Sequence, residues 1–131
     1  MAIDPSGKFA YVANLSSNNV TMYTINSSTG VLTNIGAIGA GSSPQSITVD
    51  PSGKFVWVSN RGHDSLAGFK FDEANGKLTA IGQTPTEKTP RSFEVVPSGK
   101  FVFGAGEGSG KLAAYRVNQE SGELQPLRIH D

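Results

Sequence analysis

The stretch DPSGKFVWVSN, residues 50–60, decides the fold of this 131-residue chain, because its first half recurs. DPSGKF occurs at residues 4–9 and 50–55, and PSGKF returns at residues 97–101 with Val96 in the place of the aspartate. The copies start 46 residues apart in both steps. Other positions keep this period, among them Gly30, Gly76 and Gly122, and Leu32, Leu78 and Leu124. Three copies at one spacing indicate a repeat architecture.

Each copy contains four predicted strands separated by turns. In the second copy the strands are SITV (46–49), FVWVSN (55–60), SLAGFKF (65–71) and KLTAIGQ (77–83). DPSGK predicts a tight turn, since proline fixes φ and glycine accepts the left-handed region. FVWV is apolar on both faces, which predicts that both sides of that sheet are covered.

Four antiparallel strands in a repeat of about 40–45 residues are typical of a β-propeller blade. A β-solenoid is the competing repeat architecture, but its coils are usually shorter and parallel. The sequence therefore predicts an all-β fold, a partial β-propeller of about three four-stranded antiparallel blades. The blades are predicted at about residues 1–42, 43–88 and 89–131, within a single domain.

The composition excludes several kinds of function. The 11 basic and 11 acidic residues give a net charge of zero, so nothing favours binding to nucleic acid or to an anionic membrane. The absence of cysteine excludes disulfides and thiolate metal sites, and no two histidines have the spacing of metal ligands. GAGEGSG (104–110) lacks the Lys-Ser/Thr of a phosphate-binding loop. We expect no metal and no cofactor.

Residues that differ between the repeats fall at one rim of the predicted blades. Connections in a four-stranded meander alternate between the two ends of the sheet, so RGHD (61–64) and TPTEKTPR (84–91) lie at the same rim. The turns at the opposite rim hardly vary, whereas one position at this rim is Leu15, Arg61 or Glu107. Variable charges on a constant scaffold predict a functional site. Arg61, His63, Asp64, Glu87, Lys88 and Arg91 lie at this rim, and the candidate site residues are Asn60, Arg61, His63, Glu87 and Arg91.

Most of these candidates also have a structural explanation. Arg61 is alternatively a solvated cation or a bridge to the neighbouring blade. Arg91, at the start of an inner strand, is predicted to point toward the central channel, where a charge needs a partner or a ligand. His63 alternatively caps its loop through a hydrogen bond to Asp64, and Asn60 alternatively satisfies loop backbone groups. His130, beside the last residue of the chain, is not included.

Two sets of residues resemble a known family. YVAN (11–14) and WVSN (57–60), each after DPSGKF, resemble the YVTN-type propeller repeat. SNRGHDS (59–65) followed by TPRSFEVVPSGKF (89–101) resembles the seven-bladed lactonase family represented by bacterial 6-phosphogluconolactonase, to which a fungal carboxymuconate cyclase is related. On this resemblance we expect the chain to be a C-terminal fragment of about three blades. Such a fragment is expected to be inactive alone and to associate through its open blade faces.

The resemblance implies hydrolysis of a sugar lactone by the full-length parent, with 6-phosphoglucono-δ-lactone converted to 6-phosphogluconate. That activity implies the pentose phosphate pathway, glucose metabolism and a cytoplasmic location. The expected partner is a small phosphorylated or carboxylated lactone, with no nucleic acid and no membrane. Two alternatives stay open: a non-catalytic YVTN-type binding module, and a carboxymuconate cyclase-like enzyme.

The resemblance also implies roles for the candidate residues. Arg61 and Arg91, with Asn60, are expected to bind the phosphate or the oxyanion of the substrate, because a guanidinium makes paired charge-assisted hydrogen bonds. His63 or Glu87 is expected to act as the base.

One departure from the family pattern concerns the base. Members of the family often carry an acidic residue and a histidine on the inner strand before SNRG, where this chain has Ser46 and Thr48. Either another blade supplies the base, or the chain belongs to a non-catalytic relative.

Overall fold

The computed structural model describes all 131 residues and contains twelve strands and no helix. The strands form three sheets of four, each an antiparallel meander in chain order. The first sheet contains β1 (Ala2–Ile3), β2 (Phe9–Asn14), β3 (Asn19–Ile25) and β4 (Leu32–Gly39). The second contains β5 (Pro44–Val49), β6 (Phe55–Asn60), β7 (Ser65–Phe71) and β8 (Leu78–Pro85). The third contains β9 (Pro90–Val95), β10 (Phe101–Gly106), β11 (Lys111–Val117) and β12 (Leu124–His130).

The three sheets pack as consecutive blades of a propeller. The first strand of the middle sheet, β5, contacts both β1 and β9, and apolar clusters join the faces of adjacent sheets. This confirms the predicted all-β class and the partial propeller of three four-stranded blades. No helix of the length and hydropathy needed to cross a membrane is present.

Two predicted strands have different bounds in the structure. β5 begins at Pro44 rather than at Ser46, because a bulge between these two residues lets Pro44 pair with Asn60 although proline has no N–H to donate. β8 covers Leu78–Pro85 rather than residues 77–83, because its last two residues pair with the start of β7.

The repeated turn at one rim depends on its glycine. Gly7, Gly53 and Gly99 have φ values of 73°, 75° and 72°, a region that residues with a Cβ rarely adopt. In each turn the glycine N–H donates to the carbonyl three residues earlier, at 2.8–2.9 Å. The third copy makes the same turn with Val96 in the place of aspartate, so the turn does not require the carboxylate.

In the first copy the aspartate adds further hydrogen bonds. The Asp4 carboxylate accepts the backbone N–H groups of Lys8 and Phe9 at 2.9 and 2.8 Å, and it also accepts the backbone N–H and the hydroxyl of Ser6. Burial alone raises the pKa of Asp4, but these hydrogen bonds outweigh it and hold the pKa below its ordinary value of 3.8.

The core lies between the blades, and the middle sheet is packed on both faces. Every residue of β6 is buried. Val56 and Val58 face the first blade in one apolar cluster, whereas Phe55 and Trp57 face the third blade in another. The predicted two-sided burial of FVWV is therefore confirmed, and it follows from the alternation of side chains along a strand.

Candidate functional site

The variable rim is built by the same backbone contacts in consecutive repeats. The Arg61 N–H donates to the Ser43 carbonyl at 3.0 Å, and the Glu107 N–H donates to the Thr89 carbonyl at 3.0 Å. Arg61 and Glu107 stand 46 residues apart, as do Ser43 and Thr89. The two side chains therefore start from equivalent places on the second and third blades.

Asp64 belongs to this common scaffold. Asn18, Asp64 and Gly110 occupy one repeat position and have φ values of 55°, 49° and 68°. The Asn18 side chain accepts the Ser43 N–H at 2.9 Å, and the Asp64 side chain accepts the Thr89 N–H at 2.7 Å. Asparagine, aspartate and glycine are the residues that tolerate this left-handed region best. Asp64 thus holds the linker to the third blade in place.

Two arginines from different blades converge on one carboxylate. Arg61 Nη2 lies 3.6 Å from Glu107 Oε2, and Arg91 Nη1 lies 3.3 Å from Glu107 Oε1. The side chains of Arg61, Arg91 and Glu107 are 45, 61 and 44% exposed, so solvent reaches all three groups. With two positive charges and one negative charge, the cluster keeps an excess of positive charge. Arg91 thus has an ion-pair partner, although its side chain is solvent-exposed rather than buried.

Asn60 and His63 meet at a third residue, Ser65. The Asn60 side-chain amide donates to the Ala40 carbonyl at 2.8 Å and to the Ser65 hydroxyl at 3.2 Å. His63 Nδ1 lies 3.0 Å from the same hydroxyl. The alternative explanation that His63 bonds to Asp64 is therefore wrong, because Ser65 is its partner. Asn60 is fully buried, and its two hydrogen bonds tie the end of β6 to Ala40 and to the start of β7.

Glu87 forms no ion pair with either arginine. It occupies the repeat position of Gly41, while Gly106 occupies that of Asn60. The larger side chain of each pair is on the opposite position, because Asn60 packs against Gly41 in one repeat and Glu87 packs against Gly106 in the next. No ion pair joins Glu87 to Arg61 or Arg91.

The Glu87 carboxylate acts on Tyr115 of β11 instead. Burial, and in addition the negative charge of Glu87, raises the pKa of Tyr115. The Tyr115 hydroxyl donates to the Pro85 carbonyl at 3.1 Å. The structure therefore brings Arg61 and Arg91 to one carboxylate, and no hydrogen bond or ion pair joins His63 or Glu87 to either arginine.

Sequence reasoning missed three charged or titratable residues beside Arg91. A cavity of about 380 Å³ is lined by Arg91 and Glu107 together with Lys111, His130 and Asp131. Lys111 Nζ lies 3.6 Å from Asp131 Oδ1 across this cavity. Glu107 was visible as a variable repeat position but was not assigned a role. No signal in the repeat pointed to His130, which is brought to Arg91 by strand pairing. No group of three or more histidine, aspartate or glutamate side chains is arranged to hold a metal ion.

A family model connects this rim with known proteins. The model of the family "Lactonase, 7-bladed beta-propeller" matches residues 1–48 and 38–130, almost the whole chain. The chain belongs to the seven-bladed β-propeller lactonase family. This confirms the resemblance, and the chain holds three of the seven blades that define the family. No curated protein matches the chain.

Several solved structures share the fold. Two proteins, each named a "putative 6-phosphogluconolactonase", come from Bacteroides fragilis and Bacteroides uniformis and are 30% and 31% identical to this chain, both with a TM-score of 0.92. Each alignment covers 96% of this chain, which spans only 36% and 38% of the two proteins. A periplasmic gluconolactonase from Pseudomonas aeruginosa, at 23% identity and a TM-score of 0.89 over 98% of this chain and 38% of its own, supports the fold alone.

Proposed function

We propose that the lactonase propeller to which these blades belong hydrolyses a sugar lactone, and that 6-phosphoglucono-δ-lactone is its substrate. The observation that carries the proposal is the convergence of Arg61 and Arg91 on a single carboxylate. Family membership and the two lactonase-named structures support the reaction class. The proposal places the protein in the cytoplasm and in the pentose phosphate pathway.

In this proposal, an anionic part of the substrate binds where the Glu107 carboxylate now lies. Its two oxygens each face a different guanidinium, an arrangement that a phosphate oxygen pair also presents. Arginine binds such groups through paired charge-assisted hydrogen bonds, and it equally stabilises a developing oxyanion. In this proposal the substrate phosphate takes the place of the carboxylate between Arg61 and Arg91.

His63 is the better candidate for the base within these blades. When His63 carries its proton on Nδ1 and donates it to Ser65, the lone pair of Nε2 is free to accept a proton from water. The side chain is exposed at the rim. Glu87 is the second candidate; its charge contributes to the raised pKa of Tyr115, and it forms no ion pair with either arginine.

A non-catalytic anion-binding module is the second candidate function. Two observations favour it: Ser46 and Thr48 stand where the resemblance leads us to expect an acid and a histidine, and neither candidate base makes a hydrogen bond or ion pair with the two arginines. The same two arginines would then hold a phosphorylated or carboxylated ligand without turnover. A carboxymuconate cyclase-like enzyme would bind its carboxylates through the same pair.

The proposal is tested in the full-length parent with two substrates that differ only in the phosphate. Arg91→Ala and Arg61→Ala should each lower kcat/KM for 6-phosphoglucono-δ-lactone by roughly 10- to 100-fold, since a hydrogen bond to a charged group contributes about 1.5–3 kcal/mol. Hydrolysis of unphosphorylated glucono-δ-lactone should change far less. Lys77→Ala, which removes an exposed cation in the turn between β7 and β8 at the opposite rim, is the control.

Each outcome of this comparison has a distinct meaning. Equal losses with both lactones would show that the arginines act on the ring or the oxyanion rather than on the phosphate. A parent that binds 6-phosphogluconate but turns over neither lactone would favour the binding module. A parent whose activity is unchanged in both arginine variants would reject the proposed site.

A further inference from the structure

Two sheet faces of the three-blade array have no neighbouring blade within the chain. The repeat places Leu32 on the outer face of the first blade and Leu112 on the outer face of the third. At the same repeat positions inside the chain, Leu78 is 6% exposed and Leu66 is 1% exposed. Leu32 is 48% exposed and Leu112 is 40% exposed. The two outer faces are therefore the unpaired halves of an interface that the chain forms twice within itself.

A phenylalanine ring and a turn glycine meet at each joint between blades. The Phe9 ring of the first blade packs against Gly76 of the second, and the Phe55 ring of the second packs against Gly122 of the third. At both glycines the ring takes the place that a Cβ would need, and the φ values of 75° and 77° also favour glycine. The Gly76 carbonyl in addition accepts the Tyr11 hydroxyl at 2.7 Å across the first joint. Each joint thus inserts an aromatic side chain into a turn that only glycine leaves open.

The third ring and the third glycine of this series have no such partner within the chain. Phe101 holds the repeat position of the two phenylalanines and is half-buried on the outer face of the third blade. Gly30 holds the repeat position of the two glycines and has a φ of 73°, and a Cβ added to it would meet no atom within 4 Å. One outer face therefore carries the ring, and the other carries the open turn that fits it.

We propose that a second copy of this chain covers both faces, with Phe101 of each copy packed against Gly30 of the other. The pairing is head to tail and continues the interface already present between the blades. Two copies of three blades supply six, within the range of about four to eight blades found in propellers. A head-to-tail interface of this kind closes into a ring when its rotation allows it. A seven-bladed ring turns by about 51° per blade and a six-bladed ring by about 60°, so closure adds about 9° at each joint.

Arg116 must move for this joint to form. Its guanidinium carbon lies over the Phe101 ring, 6.0 Å from the ring centroid. Lys70 holds the same repeat position beside the joint between the second and third blades, where it is exposed while the Phe55 ring packs against the next blade. A cation at this position therefore turns to solvent without obstructing the joint.

The experiment is sedimentation velocity on the 131-residue chain over a concentration series up to about 200 µM. We expect a monomer–dimer equilibrium with a dissociation constant in the micromolar range. No species larger than the dimer should form, because a closed pair leaves no outer face uncovered.

Two variants act on opposite sides of the proposed joint. Gly30→Asn places a side chain in the open turn, and asparagine tolerates the left-handed backbone of that position. Phe101→Ala removes the ring. Each should weaken the dimer at least tenfold while the NMR spectrum of the monomer stays dispersed. Gly110→Asn is the matched control, because φ is 68° there, a Cβ meets no atom within 4 Å, and the position lies at the opposite rim from Phe101.

A mixture of the two weakened variants tests the head-to-tail arrangement. In a mixed dimer, Phe101 of the Gly30→Asn chain meets the unchanged Gly30 of the Phe101→Ala chain, so one joint is intact. The other joint carries two changes in a contact that either change alone already removes, so their effects should not add. We therefore expect the equimolar mixture to associate more tightly than either variant alone.

Four results would overturn the proposal. A chain that stays monomeric over the whole series would leave further blades of a lactonase propeller as the occupant of both faces. Species larger than a dimer would show that the array does not close. A dimer that is unaffected by Gly30→Asn and Phe101→Ala, or a mixture that shows no recovery, would show that the copies pair through other surfaces.

Discussion

Replacing Glu107 with glutamine should tighten the binding of inorganic phosphate at the rim. Glu107 holds Arg61 and Arg91 through its two carboxylate oxygens, so an incoming anion must displace it. Glutamine keeps the shape of the side chain and removes the charge. The Glu107→Gln variant therefore presents both guanidiniums without a built-in competitor.

The size of the gain follows from the distances and the exposure. Two unit charges about 3.5 Å apart attract one another by about 1 kcal/mol in water. The three side chains are 44–61% exposed, and the cost of ordering long side chains reduces each exposed pair to a fraction of that value. Removing both ion pairs should therefore favour phosphate binding by about 1 kcal/mol, which corresponds to roughly fivefold tighter binding.

The assay is a phosphate titration followed by NMR on the loop that carries Glu107. The backbone N–H signals of Gly106 and Gly108 report binding, and the titration is run at low salt and again at about 0.5 M sodium chloride, where screening should shrink the gain. Glu120→Gln is the matched control, because it makes the same change in net charge in the exposed turn between β11 and β12. Equal gains in both variants, or phosphate binding that survives loss of both Arg61 and Arg91, would refute the reasoning.

Three further changes test the scaffold, each measured by urea unfolding. Tyr11→Phe removes a buried hydrogen bond between blades and should cost about 1–3 kcal/mol of unfolding free energy, whereas Tyr23→Phe, at a half-buried position, should cost less; equal costs would contradict the bond's role. The pKa of Asp4 is lowered on folding, so Asp4 stabilises the protein above pH 3.8, and this contribution disappears as the pH falls through the lowered pKa. The Asp4→Asn variant should therefore lose less unfolding free energy than the wild type between pH 6 and 3. Parallel losses in the two proteins would contradict this. Asp64→Ala should cost roughly 2 kcal/mol through its left-handed backbone and the lost bond to Thr89, while Asp64→Asn should cost much less, and a neutral alanine variant would speak against the strain.

The sequence allowed the blades and the rim to be predicted because each rests on local or periodic information. The repeat fixes the number of sheets, and the glycine turns fix where strands reverse. The alternation rule for meanders then assigns RGHD and the linker that carries Arg91 to one rim without any knowledge of distances. FVWV shows its two buried faces directly, since no residue in it is polar.

The ion pairs at the rim could not be predicted, because they depend on the position and orientation of adjacent blades relative to one another. Arg61 and Glu107 are 46 residues apart, and only their equivalent positions on neighbouring blades bring them within 3.6 Å. The packing of Glu87 against Gly106 likewise depends on the relative position of the two loops, which the sequence does not give. His63 lies within hydrogen-bond distance of Ser65 rather than Asp64, and the Asp64 carboxylate accepts the backbone N–H of Thr89 in the linker to the third blade.

The burial of β6 on both faces has a consequence for how the chain folds. The middle sheet gains its apolar contacts only when a neighbour is present on each side, through Val56 and Val58 in one direction and Trp57 in the other. As in other repeat proteins, the interface between adjacent blades then contributes more to stability than a single blade does on its own. Losing the third blade would uncover one of the two buried faces of the middle sheet, so the three blades should melt in one cooperative transition.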